Sequence, residues 1–250
     1  MKPAPFEYHS PASVAEALIL LAELEDAKVL AGGQSLIPLL NFRLARPAHL
    51  VDINEIVELG RIVERDGGIA IGANVRQADA QADPLVRNRC PLLPVALGLV
   101  AHPVIRNRGT VCGSLAHADP AAELCATLLA LDGRVRARSL RGERVISASD
   151  LFLGPMESAL AADELLTEAW FPNFVGPGAI SEEVRRHGDF AIAGAVRAGD
   201  RLAVFGVATR PQLADPADPT RGLSPSAQPE CSPEFRLHLL EAVVERVMKA

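Results

Sequence analysis

Two short stretches of this chain have residue types and spacing suited to gripping an anion: Ala31-Gly32-Gly33-Gln34-Ser35-Leu36 and Thr110-Val111-Cys112-Gly113-Ser114. Each reads as an extended run, a turn of small residues, and then a helix or tight turn. Glycine permits positive φ and leaves no Cβ between the backbone and a ligand. Successive N–H groups in such a turn point outward together as an anion nest, and a helix that follows adds the positive end of its dipole. Ser35, Thr110 and Ser114 contribute hydroxyl donors. Acting from opposite sides, the two stretches would hold a pyrophosphate. Neither matches G-x-G-x-x-G or the P-loop pattern, and most Gly-Gly pairs are only strand-to-helix turns. On residue types alone the reading stops at a phosphate binder.

Other reactive residues point to no catalytic centre. His102, His117 and His187 suit acid–base chemistry, but no carboxylate partner is deducible for them, so each reads as a surface or packing histidine. Arg106, Arg108, Arg185 and Arg186 read as solvated basic pairs. The cysteines Cys90, Cys112, Cys125 and Cys231 contain no C-x-x-C pair. Zinc and iron–sulfur sites need clustered thiolates, so no metal site is expected in this chain.

The elements that must position the two stretches follow from local pattern. Ser13-Val14-Ala15-Glu16 is a capping box opening a helix with Val14, Ala17, Leu18, Leu21 and Leu24 on its apolar face. Residues 28–31 and 49–53 read as strands flanking a helix at about 36–44, a parallel crossover. A hairpin turns at Asp66-Gly67-Gly68, and an apolar helix covers 92–100. Residues 104–111 read as extended, and Asp119 as the cap of a helix with Pro120 in its first position. Strands at 134–138, 144–146 and 165–170 complete an α+β region ending at Phe171-Pro172. Beyond a boundary near Gly176-Pro177-Gly178, strands at 189–196 and 201–207 pair around Ala198-Gly199-Asp200. Residues 211–233 are rich in Pro, Asp and Ser and read as a long loop. Ser232-Pro233 starts a last helix with Phe235, Leu239, Val243 and Val247 at helical spacing.

With 250 residues, 49% of them apolar, the chain can bury a full core. Its net charge of −6 argues against broad nucleic-acid binding. The first ten residues hold no apolar h-region, and the most apolar stretch, Leu92 to Ala101, is too short to span a bilayer. A soluble cytoplasmic protein with reduced thiols is expected.

The segment Lys28-Val29-Leu30-Ala31-Gly32-Gly33-Gln34-Ser35-Leu36-Ile37-Pro38 resembles the first FAD loop of the medium subunit of aerobic carbon monoxide dehydrogenase and its xanthine dehydrogenase-family relatives. Arg106-Asn107-Arg108-Gly109-Thr110-Val111-Cys112-Gly113-Ser114-Leu115-Ala116-His117-Ala118-Asp119-Pro120 resembles the second. Leu151-Phe152-Leu153-Gly154-Pro155, Asp163-Glu164-Leu165-Leu166-Thr167 and Arg185-Arg186-His187-Gly188-Asp189-Phe190-Ala191 extend the likeness over roughly residues 3 to 207.

The resemblance implies an α+β fold: a two-subdomain FAD-binding PCMH-type domain at 1–175, divided near residue 58, then a shortened α+β C-terminal domain at 176–250 with a Pro-rich loop at 211–231. It assigns Ala31 to Ser35 and Thr110 to Ser114 to the FAD pyrophosphate, and places Leu36 among the cofactor-binding residues. It assigns Asp119 to a hydrogen bond with cofactor hydroxyls and Leu166 to the neighbourhood of the flavin. Molybdopterin is expected in a large partner and two [2Fe–2S] clusters in a small one, the whole forming a dimer of heterotrimers. Gln34 cannot form the histidyl–flavin bond of related oxidases, so the FAD is expected to be non-covalent.

Three departures stand out, the largest being the C-terminal domain, several dozen residues shorter than in relatives, with the Pro-rich stretch in place of a helix and strands. Cys112 replaces the first of two usual glycines and would disfavour positive φ; a redox role for it would need a resolving cysteine, and none is visible. Ser181-Glu182-Glu183 stands where some relatives bring a lysine to the cofactor. The competing readings are a stand-alone flavin oxidoreductase and an assembly subunit that has lost FAD.

Overall fold

The structure, a computed structural model, describes residues 2–227 and 231–250. The chain begins with β1 (Glu7–His9), α1 (Val14–Glu23), β2 (Ala27–Leu30), α2 (Leu36–Asn41) and β3 (His49–Asp52). The three strands form a parallel sheet in the order β1-β3-β2. The predicted crossover is therefore present, and β1 joins it at the edge. Its brevity and the exposure of Glu7 and Tyr8 gave no apolar alternation to detect. The capping box forms with one shift: the Ser13 hydroxyl accepts from Glu16 N–H, while the Glu16 carboxylate accepts from the N–H of Ala12, one residue before the cap. α1 then buries Val14, Ala17, Leu18 and Leu21.

The middle of the chain runs β4 (Ile62–Arg65), β5 (Gly68–Gly72), α3 (Gln77–Ala82), α4 (Pro84–Arg89), α5 (Leu92–Leu99), α6 (Pro103–Arg106), α7 (Val111–His117) and α8 (Glu123–Ala130). It continues through β6 (Arg134–Ser139), β7 (Gly142–Ser147), α9 (Ala148–Leu151), β8 (Phe152–Gly154), β9 (Glu157–Ser158) and β10 (Leu165–Pro172). An antiparallel sheet of order β4-β5-β10-β6-β7 carries α7 on β10.

Two expectations are corrected here. Residues 104–111 are not a strand: Pro103 at the first helical position starts α6, and Thr110 caps α7. The β-branched Val104, Ile105, Thr110 and Val111 favour the expected extended backbone, but capping outweighs that weak propensity. Asp119 does not cap α8. Its carboxylate accepts from Ala121 N–H at 2.8 Å in a turn of its own, and the helix starts later, at Glu123 behind Ala122.

The last part runs β11 (Gly178–Val184), β12 (Ala191–Ala198), β13 (Arg201–Phe205), β14 (Gln212–Ala214) and α10 (Pro233–Lys249), with its four strands ordered as numbered. β11 escaped the sequence reading because Ser181, Glu182 and Glu183 hide its alternation. β14 lies inside the stretch expected to be a loop, of which residues 228–230 fall outside the described residues. The sheet is covered on both faces. Val196 and Phe205 join the main core with α8, whereas Ala193, Ala195, Leu202 and Val204 pack against Leu240, Val243 and Val247 of α10.

The apolar face of α10 is rotated from the expected one. Phe235 is half exposed, and Arg236 is the buried residue. Its guanidinium donates to the carbonyls of Ile192, Ser226 and Gly206, stitching the helix to β12 and the turn after β13. Removing a buried charged donor strands its acceptors, at a cost of about 2–4 kcal/mol. Arg236→Ala is therefore expected to lower stability by that amount in urea unfolding, and Phe235→Ala by less than about 0.5 kcal/mol. Equal losses in the two variants would contradict this account of α10.

Candidate functional site

The first stretch is the turn between β2 and α2, and its shape depends on both glycines. Gly33 has φ +73°, a region that side chains with a Cβ rarely enter. Gly32 has no room: a Cβ there would stand 2.2 Å from the Arg108 carbonyl oxygen and 2.7 Å from the Gly109 Cα. Gly32 thus brings the first stretch against the backbone leading into the second, some 75 residues further along the sequence. The Gln34 amide donates to Gly32 O at 3.0 Å and Ile37 N–H to Gly33 O at 2.9 Å, closing the turn. Among the described residues, the N–H groups of Gly32, Gly33, Gln34 and Ser35 donate to no protein acceptor. The Ser35 side chain makes no cap bond either, although Ser35 precedes α2.

The second stretch is the first turn of a helix and not a glycine turn. Thr110 Oγ1 accepts from Gly113 N–H at 3.0 Å, so that amide serves the cap. Cys112 is helical, and the expected conflict with positive φ does not arise. Its thiol is buried, donates to Ile71 O at 3.4 Å, and is pushed far above the ordinary thiol range by burial. A thiol held so firmly protonated is a packing group, not a redox centre.

Sequence reasoning missed the residues that fasten these segments together. Asn54 Nδ2 donates to Ala31 O at 2.9 Å, and Arg76 donates to Asn54 Oδ1 at 2.7 Å and to Arg108 O at 3.0 Å. The backbone of Arg76 bridges to Thr110, and Gln77 N–H donates to Gly109 O at 2.8 Å. One asparagine and one arginine thus tie both stretches from behind. Neither lies in a motif, so only spacing in three dimensions identifies them.

Beyond α7 the chain turns through Ala118, which has φ +55°, into the buried Asp119. Ala118 is the left-handed C-cap of α7, its N–H donating to Ser114 O, a conformation that costs an alanine about 1–2 kcal/mol. The charges of Asp119 and of Glu182 on β11 both act on Glu123 at the start of α8, making an electrostatically linked carboxyl group of three. Burial pushes Glu123 up to about 8, with Glu182 and Asp119 adding repulsion. Burial alone pushes Glu182 up to about 7, and its Oε2 is buried with no partner among the described residues. His117 is held below the usual histidine range by burial, against the pull of Asp119. Leu166 lies in the core on β10 beside a bulge, on the strand that α7 packs against. His102 and His187 form an edge-on ring pair with centroids 5.4 Å apart.

The Glu123 carboxyl makes stability depend on pH. Folded, it holds its proton up to about pH 8; unfolded, only to about 4.5. Its contribution is therefore complete below pH 4.5 and lost as pH rises from 4.5 to 8. Glu123→Gln is expected to stabilise the FAD-free chain at pH 8 by up to a few kcal/mol relative to wild type, at ~1.4 kcal/mol per pKa unit, and by less at pH 5.5. Thermal melts at the two pH values check this; a gain of the same size at both would contradict it.

Residues 4–174 match the family described as "FAD binding domain in molybdopterin dehydrogenase". The chain is 50% identical over 198 residues to the 6-hydroxypseudooxynicotine dehydrogenase complex subunit alpha of Paenarthrobacter nicotinovorans, covering 78% of this chain and 67% of that protein. It is 42% identical to the carbon monoxide dehydrogenase medium chain of Hydrogenophaga pseudoflava, covering 78% and 69%. Among solved structures, a carbon monoxide dehydrogenase from Hydrogenophaga pseudoflava lacking the Mo-pyranopterin moiety of its cofactor superposes with a TM-score of 0.94 at 33% identity, over 100% of this chain and 98% of that one. Quinoline 2-oxidoreductase from Pseudomonas putida 86 gives 0.93 at 35% identity, over 100% and 97%. No helix among the described residues is long and apolar enough to cross a membrane. A family match over more than half the chain, joined to this turn geometry, places the protein in the family of FAD-binding domains of molybdopterin dehydrogenases.

Proposed function

We propose that this chain is the electron-transfer subunit of a molybdenum hydroxylase complex, receiving electrons from [2Fe–2S] clusters of a small partner and passing them to an external acceptor. The large partner would carry molybdopterin and oxidise the substrate. The observation that carries the reading is the turn at 31–36, where four consecutive N–H donors have no protein acceptor among the described residues while Gly32 lies against the lead-in to the second stretch. Such a nest suits a diphosphate. Support for a multi-subunit setting comes from the relatives, which are named as a medium chain and as a subunit of a complex.

In this reading Ala31 to Leu36 form the main cradle for the FAD diphosphate, and Thr110 to Ser114 close it from the facing helix turn. Asn54 and Arg76 hold the two at a fixed separation. Asp119 accepts hydrogen bonds from cofactor hydroxyls, and Leu166 shields the flavin from water. The orphaned Glu182 oxygen and the protonated Glu123 supply further polar groups for a ligand rich in hydrogen-bonding atoms. When bound, FAD supplies the redox chemistry, and the protein supplies binding, orientation and electrostatic tuning. Gln34 leaves the cofactor dissociable. The reading also divides the chain at about residue 175 into a cofactor domain and a smaller C-terminal domain.

The test is a visible spectrum of the purified chain after incubation with excess FAD and removal of free cofactor. Flavin bands at one equivalent are expected, and a colourless protein would overturn the reading. Gly32→Ala is expected to weaken FAD binding by at least about tenfold, or ~1.4 kcal/mol, because the added Cβ pushes the two stretches apart. Arg76→Ala should weaken it to a similar extent with an unchanged far-ultraviolet circular dichroism spectrum. FAD titrations that match wild type in both variants would remove the site from these residues.

A further inference from the structure

A second group of ligand-type side chains, unused by the proposed cofactor site, gathers across the edge strand β1 and the central strand β3 of the parallel sheet. β1 and β3 pair in parallel with Glu7 opposite His49. Residues two apart on a strand share a face, so Glu7, His9 and His49 project on the same side of the sheet. Their ligand atoms all lie within 4.8 Å of one another. His9 Nε2 is 3.1 Å from His49 Nδ1, and His49 Nδ1 is 3.6 Å from a Glu7 carboxylate oxygen. A tetrahedral ion with Zn–N and Zn–O bonds of about 2.0–2.1 Å sets its ligand atoms about 3.3–3.4 Å apart. The two measured edges bracket that distance.

We propose that Glu7, His9 and His49 form a binding site for a divalent cation of the zinc class, with the fourth position left to water. Two imidazoles and one carboxylate are the donor set such an ion selects over magnesium or calcium, which favour oxygen ligands alone. The site has a path from solvent: Glu7 is exposed, and His9 lines an open surface hollow of about 340 Å³ with Ser10, Glu16 and Ile19. The ligands come from strands 40 residues apart in sequence, so no short spacing motif reveals them. The alternative arrangement of the same atoms is a plain hydrogen bond between the two rings, one nitrogen donating and the other accepting.

Calorimetric titration of the FAD-loaded full chain with zinc chloride separates the two. One saturable equivalent is expected, weakened by at least about tenfold in His9→Gln and in His49→Gln, and unchanged in Tyr8→Phe, whose side chain lies on the other face of the strand. As a readout that needs no variant, cobalt(II) should shift the imidazole proton resonances of His9 and His49 in the wild-type chain and leave those of His102, His187 and His238 in place. Wild-type protein that shows no saturable binding overturns the proposal, as does binding that survives both histidine substitutions or cobalt shifts confined to other histidines. Because FAD content is measured separately, failure of this site leaves the flavin reading untouched.

Discussion

Two pieces of backbone meet where no side chain can stand between them. The Arg108 carbonyl occupies the space that a Cβ on residue 32 would need, and this contact sets how far apart the two candidate cofactor segments lie. The turn closes through the Gln34 side chain and the Gly33 carbonyl, and among the described residues the N–H groups of residues 32–35 donate to no protein acceptor. Buried or half-buried amides without acceptors are costly unless water or a ligand satisfies them. Four such donors in a row, at residues 32–35, are what the proposed cofactor reading uses.

The contact alone would be loose. Asn54 and Arg76 stiffen it from behind with three hydrogen bonds that reach Ala31, Asn54 and Arg108. These residues sit just after β3 and just after β5, so the parallel sheet and the first hairpin each contribute one end of the brace. The fold here acts as a jig: two sheets built from local pattern hold two turns at a separation that neither turn could set by itself. Precise separation matters because a bound cofactor is held well only when its contacts keep a fixed place and orientation.

The linked carboxyl groups of Asp119, Glu123 and Glu182 work against stability in the cofactor-free chain. Burial raises both glutamates into the neutral range, and mutual repulsion raises Glu123 further. The strained Ala118 stands beside them. Local departures from stable design of this sort are commonly kept for function. The surrounding core makes them tolerable: every residue of α8 is buried, and β12 and β13 seal its outer face. On the far side of that sheet, a buried arginine in α10 does by hydrogen bonding what the sequence pattern had assigned to a phenylalanine.

The sequence by itself determined the glycine turn, the capping box, the β2–α2–β3 crossover, the hairpin at Asp66 and the family, because each depends on neighbours along the chain or on long motifs in order. It misread residues 104–111, where two helix starts with β-branched residues mimic a strand, and it missed β11, whose glutamates conceal its alternation. The face of α10 differs from the apolar pattern because such a pattern cannot say that three backbone carbonyls converge where a guanidinium can donate to them. Only the tertiary structure decided that Gly32 meets Arg108, that Asn54 and Arg76 brace the meeting, and that Glu7, His9 and His49 converge. Those facts depend on distances between residues remote in sequence, and local pattern carries no information about such distances until the sheets have fixed them.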